Sequence, residues 1–488
     1  MKKIALAFVA VVLIKLFLMN FSIVFPDTYR YFYWASLGIN NIEIRYIPFS
    51  LFLKIILSLT SEWPLRLFLL KTIYAVIAST TILPVYLLVK KRLGEWEALA
   101  LAIMFQFFPP LIMSNLLLRD VLVNSLIVWA LFFFMERKEF VSISLSIIAL
   151  LFKITAFPIT AVLLLGYWLR LKNSNVKMAL LVIALLVGAF SSLVLFYNYP
   201  EMVEVAVKGI DIASFFYVLL LSFVYVGVAT LGFNFKIDRG VVLGIIALIL
   251  TIGSSYVFLK ANVPDFVERY GIYGRYLEGA LLFLYIPSLM EKPGKHNIVV
   301  FLLLSLVAVL TITPDFSANP ASLFFVVMEN VWLALFIVVI ALLAIRSGDV
   351  LFFRFIQVAV IISLFLTTSN IVPNLNNTIP KGLAIEADRF MEENGFSFNE
   401  NGTMGLMDGK NALFFIIDLN EAREANITNS CLTRDIEVDV DGKRNYVKSG
   451  ESIIIEAGKK ARLHYYPPLL CNPFYGGLAL IGPIVATP

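Results

Sequence analysis

Long apolar runs separated by short polar segments fill residues 4 to 369 of this chain, and that rhythm predicts a bundle of membrane-crossing helices. A helix needs about 20 apolar residues to cross the hydrocarbon, and fewer when neighbouring helices enclose it. On that basis spans are predicted at 4–25, 66–89, 97–113, 118–135, 140–152, 155–169, 178–197, 214–235, 240–259, 277–290, 297–312, 323–345 and 350–369. The fifth and sixth are short enough to be read instead as one bent span around Lys153 and Pro158. Between the first two runs, Tyr46-Ile47-Pro48 and Phe49 to Leu59 predict an amphipathic helix lying on the surface with Lys54 snorkelling, before Trp63-Pro64 opens the next span.

Charge tests the count. If Lys2 and Lys3 lie inside, the even-numbered spans end at Lys90-Lys91-Arg92, Arg137-Lys138, Arg170 with Lys172, Lys236 with Arg239, Lys292 with Lys295, and Arg346. Each is a short basic loop, as cytoplasmic connections require. Merging spans five and six would send several of these loops outside, so about thirteen spans are expected, with the N-terminus cytoplasmic and the C-terminus across the membrane. The run from Met1 to Phe25 exceeds the roughly 7–15 residues of a signal-peptide core and is followed by no A-x-A-like site, which predicts a retained signal anchor.

Past residue 371 the pattern changes. A linker with Pro373, Asn374, Asn376, Asn377 and Pro380 leads to a helix over Leu383–Met391, stopped near Gly395. Short β-prone runs follow at Leu413–Leu419, Ile436–Val440, Ser452–Glu456 and Arg462–Tyr466, with Asp441-Gly442 as a turn. The fold class is therefore a polytopic α-helical membrane protein with a C-terminal extracytoplasmic β-rich domain: 1–370 transmembrane, 371–488 outside. Sequons at Asn376, Asn401 and Asn426 agree with that side, as does a disulfide between Cys431 and Cys471; two free buried thiols are the other reading of the pair.

Composition narrows the class. Hydrophobic residues make up 60% of the chain and charged residues 15%, against about 25% charged in soluble domains. The net charge of +5 sits in the short loops and forms no basic face for nucleic acid. Two well-separated histidines, His296 and His464, signal no histidine metal site. Only Gln106 and Gln357 represent glutamine, a depletion in keeping with a thermophile. The chain is expected in a prokaryotic plasma membrane.

The loops opposite the basic ones mix acids and bases close to helix ends, where charge is costly and invites a functional reading. Asp27 and Arg30 follow span one among Tyr29, Tyr31 and Trp34; Arg119-Asp120 opens span four; Lys153 lies between the short spans; Arg275-Tyr276-Leu277 leads into span ten. The order, with Tyr46 to Pro48 and Leu151-Phe152-Lys153-Ile154-Thr155, resembles the GT-C superfamily of membrane glycosyltransferases, in particular the dolichyl-phosphate-mannose mannosyltransferase and aminoarabinose transferase group. The resemblance covers the membrane part to about residue 370. A Trp-Trp-Asp signature of oligosaccharyltransferases does not occur.

That resemblance implies a polyprenyl- or dolichyl-phosphate sugar as donor and a glycan, lipid or protein as extracytoplasmic acceptor. The chemistry suits the residues: a carboxylate removes the acceptor proton, assigned to Asp27, and fixed cations hold the leaving phosphate, assigned to Arg275 with Lys153 as a point-charge helper. Tyr276, Arg119, Asp120, Arg30, Tyr29 and Tyr31 complete the expected substrate site. Asp120 is expected to pair with Arg119 or Arg275, and a divalent ion, where the reaction uses one, would fall to Asp27 and Asp120. Each residue also has a plain reading: Asp27 and Arg30 as a helix-end ion pair, Asp120 as a cap, the aromatics as interfacial anchors. Two other functions stand beside the transferase, a flippase or transporter of lipid-linked oligosaccharide and a noncatalytic membrane scaffold with an outer binding domain.

Overall fold

A computed structural model describes residues 2–19, 47–59, 63–106, 111, 119–198, 211–262, 274–292, 294–311, 339, 413–418, 425–428, 436–448, 451–456 and 460–465. The helices among them are α1 (Lys2–Met19), α2 (Ile47–Leu57), α3 (Trp63–Thr80), α4 (Ile82–Lys90), α5 (Glu95–Phe105), α6 (Arg119–Met135), α7 (Glu139–Phe152), α8 (Phe157–Arg170), α9 (Ser174–Asn198), α10 (Ile212–Ala229), α11 (Arg239–Asn262), α12 (Gly274–Leu289) and α13 (Lys295–Thr311). Each of the first eleven spans read from the sequence falls on one of these, the second on α3 and α4 together. The stretches 323–345 and 350–369 lie outside the described residues, save Val339. Four of the described helical segments are both long and apolar enough to cross a membrane: Phe68–Lys90, Ser174–Ser192, Ile212–Ala229 and Arg239–Phe258.

The reading of spans five and six as one bent helix does not hold. α7 and α8 form an antiparallel hairpin that reverses at Lys153, whose extended backbone (φ −152°, ψ 118°) is followed by a single 3₁₀ turn over Ile154–Ala156. Pro158 sits in the first turn of α8, where its missing N–H costs nothing. The Thr160 hydroxyl donates across the hairpin to the Ser146 carbonyl at 3.0 Å, and Arg170 reaches Glu139 at 3.5 Å at the far end. α6 runs antiparallel to α7 in the same way: Ser142 donates to the Ala130 carbonyl at 2.7 Å near one end, and Arg119 to the Phe152 carbonyl at 3.3 Å near the other. Where hydrocarbon surrounds the helices, close packing and interhelical polar contacts such as these hold them together, since burying apolar surface gains little against lipid tails.

Small residues set the spacing. A Cβ on Gly279 of α12 would stand 2.9 Å from Ile159 Cδ1 and 3.1 Å from Ile127 Cδ1, so glycine lets α12 approach α6 and α8 closely. Gly166 does the same for α8, where a Cβ would meet Leu243 at 2.6 Å and Phe134 at 2.7 Å. α2 buries one face, Phe49, Leu53 and Ile56, and exposes Lys54 and Ile55 on the other. Its rings pack on the end of α7, with Phe52 and Phe152 centroids 5.6 Å apart.

The basic loops gather at one end of the bundle. Lys3 pairs with Glu95 at 3.6 Å, Arg92 with Glu291 at 3.7 Å, Lys236 with Glu291 at 3.2 Å and Lys292 with Glu97 at 3.5 Å, and Lys91 pairs with Glu136. These contacts tie together the ends of α4, α5, α6, α12 and the α10–α11 connection. The ends at Asp120, Lys153, Asp211 and Tyr276 lie at the other end of the same helices.

In the C-terminal part, β1 (Leu413–Asp418), β6 (Lys460–Tyr465), β3 (Ile436–Val440) and β4 (Lys443–Val447) form a four-stranded antiparallel sheet in the order β1-β6-β3-β4. β2 (Ala425–Thr428) and β5 (Ser452–Ile455) make a separate antiparallel pair. Asp441 and Gly442 both have positive φ, 50° and 82°, the mirror-image turn that matches strand twist and that Asp-Gly favours. Strands β2 and β4 were not evident in the sequence: Lys443-Arg444-Asn445-Tyr446-Val447 is mostly polar and exposed, and Asn426, read only as a sequon, lies within β2. The predicted linker, the helix over Leu383–Met391, Cys431 and Cys471 lie outside the described residues.

Candidate functional site

Three of the predicted elements meet at the end of the bundle opposite the basic loops. Asp120 lies in the first turn of α6, Lys153 at the hairpin reversal, and Tyr276 in the first turn of α12. The antiparallel register of α6 and α7 carries Asp120 to Lys153, while the close approach at Gly279 brings α12 beside them. Lys153 Nζ donates to Asp120 Oδ1, both side chains being only 5% exposed, and lies 5.1 Å from the centre of the Tyr276 ring. Burial weakens solvent screening, so acid, base and ring are held as one electrostatic unit.

Asp120 is engaged by Lys153, a partner beyond the expected Arg119 and Arg275, and the Arg119 guanidinium donates to the Phe152 carbonyl. The reason is geometric. Consecutive residues on a helix point about 100° apart, so Arg119 and Asp120 cannot face each other, whereas Lys153 stands directly across the α6–α7 contact. Arg275 lies in the first turn of α12 next to Tyr276. Asp27, Tyr29, Arg30 and Tyr31 lie outside the described residues. Among the described residues no group of three or more His, Cys, Asp or Glu side chains is close enough to share a metal ion.

A cavity of about 90 Å³ opens beside the cluster, lined by Arg119, Lys153, Thr155, Ser255, Phe258 and Tyr276 among others. Water occupies about 30 Å³ per molecule, so this niche takes a few waters or one small polar group, well below the roughly 300–1,000 Å³ of a complete small-molecule site. Phe258 braces Tyr276 edge-on, ring centres 5.6 Å apart. Near the same end, Asp211 caps α10: its carboxylate accepts from the Ser214 hydroxyl and from the Ala213 N–H at 3.1 Å. The Ser214 bond, together with backbone donors and Lys260, holds the Asp211 carboxyl below its ordinary range.

Two buried polar clusters inside the bundle were missed from the sequence. Lys15 of α1 is 1% exposed and donates to Gln106 Oε1 at 3.1 Å, and Gln106 in turn donates to Thr81 at 2.8 Å. Glu278 of α12 is fully buried and accepts from the Tyr225 hydroxyl at 3.4 Å. The signal was present, a charge inside each apolar run. The partners stand on other helices, which no local pattern reveals. Family models, curated proteins and solved structures give no match to this chain.

Proposed function

We propose that the chain is an inverting glycosyltransferase of GT-C type that moves a sugar from a polyprenyl-phosphate carrier to an extracytoplasmic glycan, lipid or protein. In this reading about thirteen spans carry the site, the basic end is cytoplasmic, and residues 371–488 stand outside near the acceptor. The observation that supports it is the meeting of Asp120, Lys153 and Tyr276, three elements far apart in sequence, beside a small cavity at the end opposite the basic loops.

The proposed step is a single displacement. An acceptor hydroxyl oxygen attacks the anomeric carbon as the carbon–oxygen bond to phosphate breaks, its electron pair leaving with the lipid phosphate, and Asp27 takes the hydroxyl proton. Preorganised cations stabilise the phosphate charge as it develops. The ion pair revises how that task is divided: with Asp120 offsetting Lys153, Arg275 carries most of the charge, and Asp120–Lys153–Tyr276 fixes the start of α12 on which Arg275 sits. Purified protein incubated with radiolabelled polyprenyl-phosphate sugars and membrane acceptors tests the reading. Label transfer that is lost in both Asp27→Asn and Arg275→Ala supports it, and transfer that survives both removes the assigned site.

A second reading, a transporter of lipid-linked glycan, draws on Lys15–Gln106–Thr81 and Glu278–Tyr225, because transporters place polar groups within the helices. It predicts movement of a labelled lipid-linked glycan between leaflets without any new glycosidic bond.

A further inference from the structure

The larger of the cavities described here is at the basic end, away from the proposed catalytic cluster. It has a volume of about 370 Å³ and lies between the ends of α6, α8, α11 and α12. Its charged lining consists of Arg92, Arg170, Lys236 and Arg239 with Asp238 and Glu291. Its apolar lining includes Leu131, Phe134, Phe283 and Ile286.

The charges do not cancel. Arg170 forms part of the wall, donating to the Phe134 carbonyl at 2.9 Å, pairing with Glu139 at 3.5 Å and stacking on the Phe134 ring at 4.0 Å. Glu291 is shared by Arg92 and Lys236. Asp238 accepts from the Val241 N–H at 2.9 Å, which commits it to the start of α11. Arg239 makes no ion pair among the described residues, and Lys236 keeps a largely exposed ammonium despite its contact with Glu291. The result is four cations against three committed carboxylates, Glu139 among them, at a helix-bundle end, with Arg239 outside every one of these ion pairs and apolar side chains directly beside it.

We propose that this cavity is a binding site for an anionic phospholipid of the leaflet at the basic end. Its phosphate is held by Lys236 and Arg239, and the start of an acyl chain lies on the apolar wall of α6 and α12. The charge surplus selects a phosphate, and the adjoining apolar wall selects one that carries a tail. Basic pockets between membrane helices are suited to such headgroups, each Lys or Arg near an anionic leaflet adding favourable binding. The proposal rests on the bundle lying in a bilayer and not on the transferase reading, so it stands or falls separately from glycosyl transfer.

The test uses the purified full-length chain in neutral detergent. It is titrated with phosphatidylglycerol, phosphatidylcholine or glycerol 1-phosphate, and binding is read by native mass spectrometry. Phosphatidylglycerol is expected to bind well above the other two, and more weakly as salt rises. Lys236→Gln with Arg239→Gln is expected to weaken it about 30-fold, while Lys448→Gln, a charge removed from the end of β4, leaves it unchanged. Both targets are exposed, so the double variant folds, as an unchanged melting temperature would verify. Equal binding of phosphatidylcholine, or an unaffected double variant, overturns the proposal; glycerol 1-phosphate binding as tightly as the lipid would make the ligand a soluble phosphate ester and overturn it as well.

Discussion

Lys153 and Asp120, 33 positions apart, form an ion pair with both side chains 5% exposed at the reversal of the α7–α8 hairpin. Removing one partner takes the neutralising charge away from the other in a mostly buried site. Lys153→Met or Asp120→Leu alone is expected to cost about 3–5 kcal/mol. The double replacement, which leaves no charge stranded between them, should recover most of that. Thermal unfolding in detergent decides the point: a double variant no more stable than the singles would mean that the pair is not the unit described.

Close approach at Gly279 makes a second prediction. A side chain there meets Ile159 and Ile127 within about 3 Å, so Gly279→Val is expected to cost about 1–3 kcal/mol through overpacking. Gly188 on α9 has nothing within 4 Å of its would-be Cβ, and Gly188→Ala should gain up to about 1 kcal/mol. Equal effects at the two positions would remove the argument that glycine sets the α12 spacing.

The Asp211 cap gives a pH dependence with a definite sign. The Ser214 hydroxyl, first among several donors, lowers the folded carboxyl below its ordinary 3.8. A group lowered on folding stabilises the fold fully above its unfolded value and loses that contribution as pH falls through the folded one. Wild type should therefore lose more stability than Asp211→Ala between about pH 5 and pH 2. Parallel melting curves for the two proteins would contradict the cap.

Sidedness can be read with a membrane-impermeant thiol reagent on intact cells. In a background with Cys431 and Cys471 replaced by Ser, Ser214→Cys is expected to react from outside and Lys292→Cys only after lysis. The reverse pattern would invert the orientation, and labelling of both from outside would break the assignment of ends.

Much of the helical layout was legible because apolar runs and basic loops are local patterns. The same holds for Asp120, Lys153 and Tyr276, which announce themselves as polar residues at helix ends. Which of them pair was not legible. Arg119 and Asp120 are adjacent in the chain but splayed by the helix, while the Asp120–Lys153 contact depends on the register between α6 and α7. Lys15 with Gln106, 91 positions apart, was hidden for the same reason. β4 escaped because its exposed Lys443 and Arg444 give no alternation, and only the Asp441-Gly442 turn and pairing with β3 make it a strand.

The central claim is that the end of the bundle holding Asp120, Lys153 and Tyr276 transfers sugar from a lipid phosphate. Its most direct test is the release of polyprenyl phosphate together with labelled acceptor by the purified full-length protein. Equimolar products from wild type, with both lost in Asp27→Asn and Arg275→Ala and each variant still folded, is the predicted result. Undiminished transfer in the two variants, or no transfer with any donor in the panel, would contradict the account.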